Sequence, residues 1–170
     1  MHTQLSSVKI GLAMSLLCLA AGVGMGVSFG VDEDLYQHYI ASGIAAHPAL
    51  HDPASQAAIW RWAQRAHFHA TGIAAFGLVL IVLVALSGMT EVRKKITAGL
   101  IGLGGLYPLE WFVMFLVAPA MGRSAAHHHW LVETLTYVSV GGLGLGLLSL
   151  LVGLFFAGQA PEACPRRAAS

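Results

Sequence analysis

Long runs of apolar residues recur four times along the chain, separated by shorter polar stretches. They cover about residues 10–29, 68–88, 96–121 and 131–157. Each reaches the roughly 20 apolar residues that an α-helix needs to cross the hydrocarbon core of a bilayer. The runs are continuous rather than alternating, which favours helices over the strands of a membrane barrel. The pattern predicts an all-α fold, a bundle of four transmembrane helices in a single integral membrane domain spanning residues 1–170.

The composition agrees with lipid as the surrounding solvent. Of the 170 residues, 56% are hydrophobic and 10% are charged, whereas a soluble domain carries about 25% charged residues. The net charge is +1 and no basic stripe is present, so nothing indicates a nucleic-acid partner. Cys18 lies in an apolar run and Cys164 in the C-terminal tail, so no disulfide framework is expected. We interpret Cys18 as a small buried hydrophobe.

The first apolar run has two interpretations, a cleaved signal peptide or a retained span. It follows a basic residue, but it is longer than a typical signal core and no small-x-small cleavage site closes it. Gly22, Gly26 and Gly30 also recur at four-residue spacing, which is typical of close helix packing in membranes. We therefore expect a retained span.

The basic residues predict the orientation. Cytoplasmic loops of membrane proteins carry an excess of lysine and arginine. If both termini are cytoplasmic, the basic turn between the second and third runs lies inside and the loop of residues 30–67 lies outside. The predicted inner residues are Lys9, Arg93, Lys94, Lys95, Arg166 and Arg167, and the predicted outer residues are Arg61, Arg65 and Arg123. This split predicts cytoplasmic N- and C-termini and a location in the cell inner (plasma) membrane.

The long first extracytoplasmic loop, residues 30–67, contains two predicted helical features. An amphipathic stretch near residues 35–46 is expected to form a surface helix. Asp52 can cap a further helix whose first position is Pro53. Continued through residue 88, that helix would be about 54 Å long, well beyond the ~30 Å hydrocarbon core. Residues 54–66 are therefore expected to protrude or to bend along the membrane surface.

Histidines are concentrated on the predicted outer side. The group comprises His38, His47, His51, His67, His69, His127, His128 and His129, eight of the nine in the chain. Histidine is a common metal ligand and titrates near neutral pH. His67 shares a helix face with small residues, so we predict that it points into the bundle, with an interhelical hydrogen bond as its structural alternative. His69, two positions further on, lies on a different face and is expected at the lipid or headgroup level.

Glu110 is the most informative residue of the third run, because it stands in an apolar stretch in the outer half of the membrane. A charged, unpaired carboxylate there costs several kcal/mol, about 3 kcal/mol for comparable charges at mid-span. It is expected to face the bundle and have a partner, or to stay protonated. Pro108, two residues earlier, can kink the helix. A structural polar clamp between helices is the alternative to a functional role.

The fourth run carries polar residues at four-residue steps. His129, Glu133, Tyr137 and Gly141 share one helix face. Polar groups followed by a glycine indicate a face directed into the bundle. It is expected to be hydrated at the outer end of the helix and tightly packed further along. Tyr137 and Glu110 reach similar predicted depths, so we predict a hydrogen bond between them.

Together these residues outline a candidate pocket open to the outside. Histidine and carboxylate sets suit copper, zinc or iron, and two histidines on facing helices could hold haem b axially. The predicted metal ligands are His67, Glu110, His127, His128, His129 and Glu133, and the predicted cofactor-binding residues are His67, His129 and Tyr137.

Three functions fit this sequence. The leading hypothesis is a small accessory or structural subunit in a larger membrane complex or homo-oligomer, since no catalytic motif indicates an enzyme and glycine-rich faces suit partner docking. The second is an outer-side metal- or haem-binding protein in redox chemistry or metal handling. The third is proton or solute conduction through Glu110, for which four spans in one chain would require an oligomer.

Overall fold

The computed structural model describes residues 2–156, and this part of the chain is built from helices and turns. The predictions for Cys164, Arg166 and Arg167 concern residues outside this range. The helices are α1 His2–Val31, α2 Glu33–Ala46, α3 Ser55–Leu86, α4 Glu91–Leu103, α5 Tyr107–Met121, α6 Arg123–His127 and α7 Trp130–Phe155, with short 3-10 turns at Pro48–Leu50 and Gly104–Leu106.

Four helical segments are long and apolar enough to cross a membrane, as the sequence predicts. They are residues 5–31 in α1, α3, the third span formed by α4 and α5 together, and residues 123–155 in α6 and α7. Successive spans run in opposite directions. One end of the bundle, called the α2 end below, contains α2, α6 and the beginnings of α3 and α7. The other, the α3–α4 end, contains the turn of residues 87–90.

The third span lies at the centre of the bundle. It packs against α1, α3 and α7, whereas α7 packs almost entirely on α4 and α5. A core cluster at the α3–α4 end joins all four spans, with Val8 from α1, Ile81 and Val84 from α3, Ile101 from α4 and Leu150 from α7. The peripheral position of α7 leaves one of its faces open.

Small residues bring the spans into backbone contact. A Cβ atom at Gly11 would lie 2.1 Å from the carbonyl oxygen of Ala98, so α1 and α4 touch where glycine stands. Gly22 packs against α3 and Gly26 against the ring of His67, while Gly30 faces open space. Two of the three predicted packing glycines are therefore confirmed as contact positions.

The predicted surface helix exists as α2, and it covers the protruding start of α3. The 32 residues of α3 give a length of about 48 Å, which exceeds the hydrocarbon core. Ile40 of α2 and Ile59 of α3 are fully buried in a cluster with Phe115 of α5. The first turns of α3 are thus part of one continuous helix and are stabilised by packing on α2.

Asp52 organises the entry to α3, although not in the predicted register. Its carboxylate accepts hydrogen bonds from the Ala54 backbone N–H at 3.0 Å and from the Ser55 hydroxyl at 2.9 Å. The helix therefore begins at Ser55 and not at Pro53. The same carboxylate lies 2.6 Å from Nη2 of Arg123. The Ser55 hydroxyl and the Arg123 guanidinium lower the pKa of Asp52, despite some opposing desolvation.

The Gly11→Val substitution tests the α1–α4 contact. Valine would force a branched side chain against the Ala98 carbonyl, and overpacking of this kind costs about 1–3 kcal/mol or more. We expect a clearly lower midpoint of thermal unfolding for Gly11→Val than for the wild type in detergent. Size-exclusion chromatography of heated samples measures this midpoint. Gly24→Val is the matched control in the same helix, because no atom lies within 4 Å of a Cβ there. Equal midpoints for the two variants would contradict the contact.

The Asp52→Asn substitution tests the link between the α3 entry and Arg123. Because folding lowers the pKa of Asp52, its contribution is fully present above the ordinary aspartate pKa of about 3.9 and is lost as the pH falls through the folded value. We expect the wild type to be more stable than Asp52→Asn at neutral pH and this difference to vanish in acid. Unfolding midpoints measured across pH check this, with Asp34→Asn as the charge-matched control. A difference that is constant down to low pH would contradict the assignment.

Candidate functional site

Glu110 is buried between α5 and α7. Its side chain is 4% exposed, and the Thr136 hydroxyl of α7 hydrogen-bonds to its carboxyl group. The hydroxyl of Tyr107, one turn earlier in α5, lies close to the same carboxyl group. The prediction that Glu110 faces the bundle and has a partner is confirmed.

Two imidazoles lie close enough to this carboxyl group to interact with it electrostatically, His69 of α3 and His127 at the end of α6. The His69 ring lies 5.1 Å from the ring of Tyr107 and stacks on Trp111 at 5.7 Å between centroids. Its Nδ1 lies 2.7 Å from the carbonyl oxygen of Arg65, which fixes the ring orientation. His127 is exposed at the α2 end. We call His69, Tyr107, Glu110, His127 and Thr136 the Glu110 site.

The break in the third span positions this site. The chain leaves α4 through the 3-10 turn Gly104–Leu106 and re-enters an α-helix at Tyr107. Pro108 stands at the start of α5, where its missing N–H removes no helical hydrogen bond. The kink expected at Pro108 therefore takes the form of a new helix start, and Tyr107 and Glu110 lie in its first turn.

His67 makes the interhelical hydrogen bond that was the structural alternative to a ligand role. Its Nδ1 lies 2.8 Å from the Gly22 carbonyl oxygen of α1, and its ring packs against Phe29. The inward orientation and the interhelical hydrogen bond are confirmed. The contact is with α1, however, so His67 does not join the Glu110 site.

The prediction for His69 missed its contact with another helix. The ring is half-buried and packs against Tyr107 and Trp111 of α5. The apolar residues on its face of α3 gave no sign of this contact, because a covering helix and lipid are equally apolar.

The predicted interior face of α7 is also wrong. Tyr137 is 76% exposed, and no atom lies within 4 Å of a Cβ at Gly141. The predicted Tyr137–Glu110 hydrogen bond is absent, because the preceding residue, Thr136, takes that place. One residue corresponds to a rotation of about 100° around a helix.

A second pattern in α7 marks the face that is buried. Val132, Ser139, Gly146 and Gly153 recur every seven residues and are all buried. A Cβ at Gly146 would lie 2.9 Å from the backbone nitrogen of Ile101. A seven-residue repeat of small residues is the signal that could have identified this face and its neighbour Thr136.

The remaining predicted ligands are dispersed at the α2 end. His128 Nδ1 lies 3.5 Å from a carboxylate oxygen of Glu133 in an exposed pair. His129 accepts a hydrogen bond from the Leu131 N–H at 3.3 Å and so caps α7. Over residues 2–156, no three histidine, cysteine, aspartate or glutamate side chains come together in a way that could hold a metal ion.

The polar groups of the Glu110 site do not continue through the bundle. On the buried face of α7, the next polar residue after Ser139 is Ser149, which pairs with Thr97 of α4 at 2.7 Å. Between them, Gly142 and Gly146 pack tightly against leucine and isoleucine side chains of α4. In the described residues, no chain of polar side chains therefore links the Glu110 site to the α3–α4 end.

Comparison with known proteins leaves the site to be interpreted from its own geometry. No family model matches this chain, and no curated protein or solved structure matches it.

Thr136→Val and Tyr137→Phe together test the partner of Glu110. Removing the Thr136 hydroxyl leaves a buried carboxyl group short of a hydrogen bond, which costs about 1–3 kcal/mol. We expect a lower unfolding midpoint in detergent for Thr136→Val and an unchanged midpoint for Tyr137→Phe, since the Tyr137 ring is exposed. The reverse order would restore the pairing predicted from the sequence.

Proposed function

We propose that this chain is a proton-exchanging membrane subunit in which Glu110 takes up and releases a proton at the α2 end. The observation that carries the proposal is one carboxyl group, buried between two spans and hydrogen-bonded by the Thr136 hydroxyl, with the Tyr107 hydroxyl and the imidazoles of His69 and His127 in its surroundings. An ionisable residue inside a membrane span is costly to keep and typically marks a functional site.

Each residue has a distinct chemical role in this proposal. Glu110 alternates between the neutral acid and the carboxylate, and the hydroxyls of Thr136 and Tyr107 donate to the charged form and stabilise it. His127, which is exposed at the α2 end, passes protons between Glu110 and water. His69, held by Arg65 and Trp111, places a second imidazole near the carboxyl group. With the orientation predicted from the basic residues, the exchange occurs on the extracytoplasmic side.

The proposal does not include a proton pathway through the whole bundle. The tight packing of Gly142 and Gly146 leaves no polar route towards the α3–α4 end, so one chain acts as a proton-binding half-site and not as a complete conduction pathway. A half-site is useful to a partner that consumes or delivers protons within the membrane. Of the conduction hypothesis, the proposal keeps only the exchange of protons between Glu110 and one side of the membrane.

The metal and haem hypotheses gain less support from the geometry. His67 contacts α1 and His69 contacts α5, so these two imidazoles diverge. His129 is engaged as a helix cap. The predicted ligand set thus has no common centre, and metal and haem analysis of the detergent-extracted protein tests it directly.

An accessory role in a larger assembly is the second candidate, and it is compatible with the first. Its specific support is the open face of α7, which packs almost entirely on the third span and exposes Trp130 and Tyr137. A photo-crosslinking residue at Gly141 in native membranes should give one discrete protein adduct if this face docks a partner. Adducts to lipid alone would remove this support.

Infrared difference spectroscopy tests proton exchange by Glu110. We expect the reconstituted wild type to show a carbonyl band of a protonated carboxylic acid that changes with pH, and Glu110→Gln to lose it. Glu133→Gln is the matched control, because Glu133 is an exposed carboxylate on α7. His127→Ala should slow the appearance of the band after a pH jump by roughly tenfold or more, as general acid–base groups contribute factors of 10²–10⁴.

Proton flux in liposomes separates this proposal from conduction. The wild type should show no transmembrane proton flux above that of empty liposomes, while the infrared band still responds to pH. Flux that Glu110→Gln abolishes would favour a complete pathway. A pH-independent carboxyl band would leave Glu110 with a purely structural role.

A further inference from the structure

A second feature of the bundle lies on the opposite side of the third span from α7. An elongated cavity of about 400 Å³ separates α1 from α4 and α5, and a ligand site typically has 300–1,000 Å³. Met14, Cys18 and Met25 line it from α1, Gly105 and Phe112 from the third span, and Ala70 from α3. The lining contains no charged side chain.

The break in the third span creates this cavity. Below the break, α1 and α4 are in backbone contact at Gly11 and Ala98. Above it, α1 makes hardly any contact with α5, so the two helices diverge from the 3-10 turn onwards. Gly105 in the turn still approaches α1 closely, since a Cβ there would lie 3.2 Å from Cβ of Cys18. The cavity therefore lies where the close α1–α4 packing ends and α5 begins.

The position of the cavity restricts its occupant. Its α1 lining extends from Met14 to Met25, about 16 Å along the helix at 1.5 Å per residue. These residues lie inside the first membrane span, where the hydrocarbon core of the bilayer contains no water. A hydrocarbon chain lying along α1 can therefore fill the cavity.

The chemistry of the lining restricts the occupant further. The only polar side chain in the lining is Cys18, and its thiol already donates to the Ala70 carbonyl oxygen at 3.4 Å. A polar ring or headgroup inside the cavity would lose its hydrogen bonds to water and gain none. Leu17, Ala21 and Leu109 form an exposed rim, through which a hydrocarbon chain can enter from the lipid while its headgroup stays at the membrane surface.

We propose that this cavity binds one acyl chain of a membrane phospholipid as a fixed component of the fold. The chain restores the dispersion contacts that α1 and α5 lose where they diverge. The proposal is independent of proton exchange, since Glu110 faces α7 on the other side of α5.

Native mass spectrometry of protein extracted in mild detergent tests the proposal. We expect one phospholipid to remain on each wild-type chain. Ala21→Phe places an aromatic ring in the rim and should reduce the retained lipid at least tenfold. Ala20→Phe is the matched control, because Ala20 is an exposed neighbour outside the lining and should leave retention unchanged.

Three outcomes would overturn the proposal. They are a wild type that retains no lipid, equal retention by Ala21→Phe and Ala20→Phe, and a retained molecule whose mass identifies an isoprenoid or a peptide. Each is read independently of the carboxyl band of Glu110, so failure here leaves the proton-exchange proposal standing, and the reverse also holds.

Cys18 provides a second measurement that does not depend on the folding of Ala21→Phe. In Cys164→Ser protein, Cys18 is the only thiol in the chain. The protein is delipidated in detergent and treated with a membrane-permeant maleimide. Added phospholipid should slow the alkylation of Cys18 at least fivefold. An alkylation rate that is unaffected by phospholipid would contradict occupancy of the cavity.

Discussion

Close contact between the central third span and its neighbours is the constraint on which the rest of this structure depends. Lipid tails are as apolar as leucine, so helices in a membrane associate through tight packing and interhelical hydrogen bonds. Gly11 supplies the tight packing against Ala98, and Gly146 supplies it against Ile101. These two contacts hold α1 and α7 on opposite sides of α4.

The 3-10 turn in the third span then divides the bundle into two parts. Below Gly104–Leu106, α1 packs closely on α4, and above it α1 makes hardly any contact with α5. On the α7 side, the restart of the helix puts Tyr107 and Glu110 in the first turn of α5, within reach of Thr136. On the α1 side, the same restart leaves the elongated apolar cavity. One irregular turn therefore accounts for both the polar site and the apolar one.

The two sites have opposite requirements for their surroundings. A carboxyl group inside a membrane needs hydrogen-bond partners, and Thr136 of α7 supplies one to Glu110. The cavity on the α1 side has an apolar lining without charged side chains. The two features lie on different sides of α5, so neither proposal requires the other.

The sequence by itself determined the class of fold and the spans, because about 20 apolar residues in a row have one physical solution in a bilayer, a helix that satisfies its own backbone. It also identified Glu110, since an acid in an apolar run must find a partner. It did not determine the partner of Glu110. Thr136 and Tyr137 are adjacent in α7 and differ by about 100° around the helix, so the choice depends on how the helix is rotated.

Only the tertiary structure decided how each helix is rotated and what covers it. The side chain of His69 stands on an apolar face of α3, and the aromatic residues of α5 that bury it lie about forty positions away in the sequence. The rotation of α7 depends on how closely its glycines approach α4, which is a property of two surfaces and not of one helix. In a membrane, lipid-facing and helix-facing residues are equally apolar, so packing alone distinguishes them.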